Sequence, residues 1–243
     1  MEDTSALKTT FIKLKEQFYW PRMKEEVKLA CANCIRCGAR KITTHALKET
    51  LTSRAAGFPF ERIAMDIVGP IPKTTRNNRY MLVVIDYYTR LPEAFALEHQ
   101  DAHLIELRLI SEITSRYGAP YVIHTDQSTN FESQLIAELC KLYDIKKTRT
   151  TPYHPQSDGL LERLNRTLVD TIALNAKDAQ DTLDLRIGLA LMAIRSAAQS
   201  TTGYSPHFLL FGREMRLPAD LYYDLSPGES ASATESVANL RQI

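Results

Sequence analysis

The chain has 243 residues, of which 44% are hydrophobic and 24% charged, and its formal net charge is +1. This length fits one large domain or two small ones, and the composition excludes the disordered and fibrous classes. No apolar run approaches 18 residues and the polar N-terminus lacks a secretory signal, so we expect an intracellular protein without a membrane span.

The charge is unevenly distributed along the chain. Residues 1–59 carry eleven Lys and Arg against six Asp and Glu, a net charge of +5, and the remainder carries −4. A basic first segment is typical of an arm that binds nucleic acid. An ordinary solvated helical surface explains the charge equally well.

Two helices are predicted in the first segment, over residues 5–19 and 22–34, separated by Pro21. Each has apolar residues at helical spacing: Leu7, Phe11, Leu14 and Phe18 in the first, and Met23, Val27 and Ala30 in the second. We therefore expect a small helical domain over residues 1–40, followed by a polar linker over 41–57.

From residue 58 the pattern predicts alternating strands and helices. Strands are predicted at RIAMDIVGP, YMLVVIDYY and EAFALE, a helix at 101–117, a strand at YVIHTD, a helix at ESQLIAELCKLYD, a strand at KKTRTT, and helices at 158–177 and 181–199. This order predicts an α/β fold, a mixed sheet flanked by helices, and it resembles the ribonuclease-H-like fold. The core extends over 58–220, and the Ser-rich tail at 221–243 is predicted to be poorly ordered.

Three acidic residues stand out in this core. Asp66 lies in a strand that is apolar on both faces, where a carboxylate is costly unless it is paired or binds a cation. Asp126 ends a strand at the edge of the sheet where α/β proteins hold their ligands, although it could equally be a turn residue. Glu162 lies opposite the apolar stripe of its helix, and by itself it is typical of a solvated surface glutamate.

Converging carboxylates suit the chemistry of phosphodiester bonds. Cutting and joining such bonds is an in-line displacement that two divalent ions can assist, and Mg²⁺ prefers oxygen ligands. Two acids from strands and one from a helix could hold these ions while one side stays open to DNA.

The surrounding sequence resembles a known family. Thirty-five residues separate Asp126 from Glu162, and five segments match in order: ERIAMDIVGPIP, YMLVVIDYYTRLPEAFAL, HTDQSTNFES, TTPYHPQSDGLLERLNRTL and TTGYSPHFLLFGREMRLP. This pattern is similar to the D,D-35-E integrase core of retrovirus-like LTR retrotransposons of the Ty3/gypsy type. The resemblance implies that Asp66, Asp126 and Glu162 are the catalytic acids and bind Mg²⁺ or Mn²⁺.

The same resemblance implies an activity and partners. The activity is processing of DNA 3′ ends and strand transfer into target DNA, in the nucleus, by a homo-oligomer that assembles through the core. DNA contacts are implied for Tyr153, His154 and Gln156 in a mobile loop and for Asn165 and Arg166 on the following helix.

Two alternatives remain at this stage. Arg166 could instead pair with Glu162 one turn away. His124, beside Asp126, could support the acidic site or be a core histidine.

The first segment resembles the end of a His/His/Cys/Cys zinc-binding domain. Cys34 and Cys37 supply two thiolates at a suitable spacing, but zinc needs four ligands and residues 1–30 contain no histidine. His45 follows the cysteines, outside the family order, so we expect a truncated domain with weak zinc affinity. Ser128 replaces a glycine of the family pattern, which requires either that φ at this position is negative or that the strain of a positive φ is tolerated. The family's C-terminal module is also expected to be missing.

Three functions are compatible with this sequence. The first is a polynucleotidyl transferase with an intact acidic triad. The second is an integrase-derived protein that binds nucleic acid or another partner without turnover. The third is a ribonuclease H, against which the 35-residue spacing and the segments YHPQSDG and ERLNRTL argue.

Overall fold

The computed structural model describes residues 4–34, 56–149, 159–175 and 182–222. Its first part is a pair of helices, α1 (Thr4–Gln17) and α2 (Met23–Ala32), which confirms both predicted N-terminal helices. Met23, Val27 and Ala30 all lie in α2 as predicted; Met23 and Val27 are buried, whereas Ala30 is exposed. A single methyl group contributes little apolar area, so its exposure costs little.

A five-stranded mixed sheet forms the centre of the molecule. Its strands are β1 (Arg62–Val68), β2 (Tyr80–Asp86), β3 (Pro92–Leu97), β4 (Val122–Thr125) and β5 (Lys146–Arg149). The spatial order is β3-β2-β1-β4-β5; β1 pairs antiparallel with β2 and parallel with β4. All five predicted strands are confirmed, and β1 is central as its apolar pattern predicts.

Helices follow the strands in the predicted order. They are α3 (Ala102–Arg108), which continues through a π-helical segment (Leu109–Thr114) and a last turn (Ser115–Tyr117), α4 (Gln134–Leu142), α5 (Gly159–Asn175), α6 (Leu183–Arg195), α7 (Pro206–Phe211) and α8 (Pro218–Tyr222). Residues 221 and 222 therefore belong to a helix and not to the predicted tail. The rest of that tail, and most of the predicted linker, lie outside the described residues.

Strand alternation divides the core between the two faces of the sheet. Ile63 and Met65 of β1 pack in a cluster with apolar residues of α3 and α4, whereas Ala64 packs on the other face with Leu164 and Leu168 of α5 and with residues of α6. Successive side chains of a strand point to opposite faces, which explains this division. Asp66 lies on the α5 face, as its spacing from Ala64 predicts.

A buried polar cluster fixes helices to the edge strand β3. Glu93, 5% exposed, pairs with Arg195 of α6 at 2.7 Å and accepts a 2.8 Å hydrogen bond from the Tyr117 hydroxyl. Arg195 also donates to the Pro92 carbonyl. Burial and the neighbouring Glu93 carboxylate raise the pKa of Tyr117 to about 12.

Helix α1 also contacts the core. Lys13 of α1 donates a 2.8 Å hydrogen bond to the hydroxyl of Ser196, at the end of α6. None of the helices in the described ranges is both long and apolar enough to cross a membrane.

Candidate active site

The register of the central strands places two of the predicted acids side by side. Parallel pairing of β1 with β4 runs from Arg62 opposite Val122 to Met65 opposite Thr125. Asp66 is the next residue of β1, and Asp126 directly follows the last residue of β4. Neighbouring strands lie about 4.8 Å apart, so these two backbone positions are adjacent at the end of β4.

Helix α5 brings the third acid to the same end of the sheet. The Asn165 side-chain amide donates a 2.6 Å hydrogen bond to Oδ2 of Asp66. Glu162 lies three residues earlier on α5, and side chains three apart are neighbours on a helix surface. Glu162 is exposed, as is Asp126, whereas Asp66 is only partly buried and thus more open than its apolar strand predicts.

Local hydrogen bonds hold the two aspartates in different ways. Oδ1 of Asp66 accepts from the Ile67 backbone N–H at 2.8 Å, and Oδ1 of Asp126 accepts from the Ser128 N–H at 3.1 Å. Ser128 is not among the described residues with positive φ, so the predicted requirement for this serine is met. Asp126 therefore heads a turn, and its position at the strand end makes it a candidate ligand as well.

A glutamate that sequence reasoning missed anchors the loop after Asp126. Glu132 pairs with Lys147 at 2.6 Å and with Arg149 at 2.7 Å, both on β5. Lys147 also donates to the Phe131 carbonyl. These pairs connect residues about fifteen positions apart, which no local spacing rule could find.

The predicted DNA-binding residues have different surroundings. Asn165 is partly buried against Asp66, so its amide contacts an acid of the site. Arg166 is exposed, and the described residues contain no ion pair between it and Glu162. Tyr153, His154 and Gln156 lie outside the described residues.

His124 is a core histidine. It is 3% exposed, its Nδ1 lies 3.0 Å from the Thr148 hydroxyl, and its ring packs edge-on against Tyr87. These contacts support the assignment of His124 to the core.

The sequence predicts two metal sites, one at the acidic residues and one at the cysteines. Within the described residues, no group of three or more His, Cys, Asp or Glu side chains is arranged to hold a metal ion. Cys34 is partly buried just after α2. The second predicted zinc ligand, Cys37, lies outside the described residues, as does His45.

Two family models match the chain. One, described as the integrase core domain, matches residues 58–155, and the other, the integrase zinc binding domain, matches residues 6–43. Both matches fall where the sequence predicts a catalytic core and a helical N-terminal domain.

Curated relatives are polyproteins of mobile elements and viruses. The Pol polyprotein from transposon 412 of Drosophila melanogaster is 26% identical over 214 residues, which are 88% of this chain and 17% of the polyprotein. The Pro-Pol polyprotein of simian foamy virus type 3 is 28% identical over 222 residues, 86% of this chain and 18% of the relative. The chain thus spans less than a fifth of the length of either relative.

Solved structures share the fold. The catalytic core domain of BIV integrase aligns with a TM-score of 0.52 and 27% identity, covering 63% of this chain and 95% of that one. The catalytic core of HTLV-2 integrase in complex with magnesium aligns with a TM-score of 0.51 and 20% identity, covering 62% and 96%. These similarities confirm the predicted ribonuclease-H-like fold.

Proposed function

Because this chain contains an integrase core domain of the retrovirus-like type, we propose that it is a polynucleotidyl transferase of an LTR retrotransposon that processes DNA 3′ ends and joins them to target DNA. The observation that supports this most is the adjacency of Asp66 and Asp126 in the strand register, with α5 fixed to Asp66 through Asn165. We assign Asp66, Asp126 and Glu162 as the catalytic acids.

The donor set fits Mg²⁺ or Mn²⁺. All three groups are carboxylates, two of them are exposed, and hard divalent cations prefer oxygen ligands and retain several waters. Mg²⁺ is typically bound through one or two carboxylates and several waters, so three carboxylates around one ion would not be required. When bound, such ions would activate the attacking oxygen and stabilise the leaving one.

The chain's own residues position the reaction. The Asn165 amide orients Asp66, the Ser128 N–H orients Asp126, and the Glu132 pairs with β5 fix the loop that follows Asp126. Arg166, exposed on α5 near Glu162, is assigned to a DNA phosphate, and the loop residues Tyr153, His154 and Gln156 to the DNA ends. DNA is therefore the proposed partner, and the nucleus the proposed place of action.

We also propose that the protein is a homo-oligomer. Leu185 and Leu189, each 48% exposed, lie one turn apart on α6 and form an apolar stripe without a covering element in the described residues. Sedimentation of the parent and of Leu189→Lys tests this assignment. A monomeric parent at micromolar concentration contradicts it.

The activity is tested with branched DNA that reports nicking and disintegration. We expect Mn²⁺-dependent cleavage by the parent and its loss in Asp126→Asn. Asp144→Asn is the matched control, because Asp144 is an exposed turn residue with φ 53°, a conformation that asparagine tolerates. If the parent is inactive and Asp126→Asn behaves identically, the enzymatic proposal fails. Salt-sensitive DNA binding without cleavage would then favour the binding-protein alternative.

A further inference from the structure

Two buried polar atoms beside the acids have no hydrogen-bond partner among the described residues. They are Oδ1 of Asn165 and the hydroxyl oxygen Oγ of Ser128. Each belongs to a residue that already holds one of the aspartates, since the Asn165 amide donates to Asp66 and the Ser128 N–H donates to Asp126. A buried polar group without a partner costs free energy, and where one persists a bound water or ion commonly supplies the partner.

The orientation of the Asn165 amide follows from its contact with Asp66. An ionised carboxylate only accepts hydrogen bonds, so Nδ2 faces Asp66 at 2.6 Å and Oδ1 is the atom left over. The oxygen and nitrogen of an amide are about 2.3 Å apart, so Oδ1 of Asn165 lies within about 5 Å of Oδ2 of Asp66. The unpartnered carbonyl therefore belongs to the immediate surroundings of this acid.

The Ser128 hydroxyl is close to the second acid. The backbone N–H of Ser128 donates to Oδ1 of Asp126 at 3.1 Å. A serine Oγ is at most about 4 Å from its own nitrogen, so Oγ of Ser128 lies within roughly 7 Å of that carboxylate oxygen. Ser128 stands where the family pattern has glycine, so the pattern itself provides no hydroxyl here.

Water carried by a divalent cation would supply both missing partners. Mg²⁺ bound by one or two carboxylates keeps several waters at about 2.1 Å, and their hydrogen bonds extend to roughly 5 Å from the ion. Such waters are polarised by the ion and donate strongly, and a hydroxyl oxygen and an amide carbonyl both accept. Groups that hydrogen-bond around a metal site without touching the ion change its affinity about 10–100-fold.

We propose that the Ser128 hydroxyl and the Asn165 carbonyl are positioning groups that accept hydrogen bonds from waters of a divalent cation at Asp66 and Asp126. The inference rests on the proposed function, because it needs that cation. It adds to that function two buried groups, one in the loop after β4 and one on α5, that share in setting the cation affinity. Without the cation both groups are destabilising, and its waters offset this.

The test is Mn²⁺ binding to the full chain without DNA, followed by electron paramagnetic resonance of the free ion. Ser128→Ala removes the hydroxyl and keeps the backbone N–H that holds Asp126. Thr129→Ala is the matched control, because Thr129 is exposed in the same loop. We expect the Kd for Mn²⁺ to rise about tenfold in Ser128→Ala and to stay parental in Thr129→Ala. Asn165→Leu should also weaken binding, but it removes the contact with Asp66 as well, so Ser128→Ala is the deciding variant.

Urea denaturation in EDTA gives a second readout. Loss of an unpartnered buried hydroxyl should leave the midpoint unchanged or raise it, so weaker Mn²⁺ binding with undiminished stability identifies the role in holding water. Parental Mn²⁺ affinity in Ser128→Ala would overturn the proposal, as would an affinity that falls only in step with a loss of folded protein. Asp126→Asn separates the two proposals. If it weakens Mn²⁺ binding and Ser128→Ala does not, only the role in holding water is refuted. If the parent and Asp126→Asn bind Mn²⁺ alike, the cation site on which both proposals rest is refuted.

Discussion

Replacing Asn165 with leucine tests whether α5 holds a catalytic acid in place. The Asn165 amide donates to Oδ2 of Asp66 at 2.6 Å, while its own Oδ1 is buried without a partner in the described residues. Leucine has a similar size and carries neither group. The substitution therefore removes a stabilising hydrogen bond and, at the same time, a buried carbonyl oxygen whose lack of a donor is destabilising.

These two effects nearly cancel in the free energy of unfolding. A hydrogen bond to a charged group contributes about 1.5–3 kcal/mol, and relief of a buried unsatisfied acceptor returns about 1–3 kcal/mol. We expect a net change within about 1 kcal/mol. Activity should fall further, because loss of a residue that orients a metal ligand reduces activity or metal affinity by about 10–100-fold.

The assay pairs urea denaturation with Mn²⁺-dependent disintegration of branched DNA. Thr167→Ala on the same helix is the control, since this exposed hydroxyl donates only to the Arg163 carbonyl, at 2.9 Å. Parental activity in Asn165→Leu would refute the positioning role. A loss of activity that merely matches a loss of folded protein would refute it equally.

Three further predictions concern stability and metal content. Arg195→Met leaves the buried carboxylate of Glu93 unpaired, and urea denaturation should show a loss of about 3–5 kcal/mol; a loss near zero would contradict the buried pair. The pKa of Tyr117 rises from 10.0 to about 12 on folding, so the folded state keeps a proton that the unfolded chain releases, and stability should decline as pH rises through this window. Tyr117→Phe should abolish that decline, which thermal unfolding at alkaline pH can check. Cys34 and Cys37 without a preceding histidine should bind zinc weakly, and one tightly bound zinc per chain by metal analysis would show otherwise.

The order and type of the main elements could be predicted because their signals are local. Apolar residues on both faces identified β1 as a central strand, and helical spacing identified the buried face of α5 through Leu164 and Leu168. Asp66 marks the limit of this reasoning, since both faces of its strand are apolar and yet its own side chain is only partly buried.

The sequence alone determined the fold class, the family resemblance and which acidic residues are candidates for the site. It could do so because apolar periodicity and motif spacing are local properties of short segments. Only the tertiary structure decided what those acids touch. The amide of Asn165 donates a hydrogen bond to Asp66, 99 positions away, and Glu132 forms an ion pair with Lys147 of β5. Arg62 and Arg90 both lie near the ring of Tyr87. Such contacts depend on strand register and helix packing, which bring distant residues together and leave no periodic signal in the sequence.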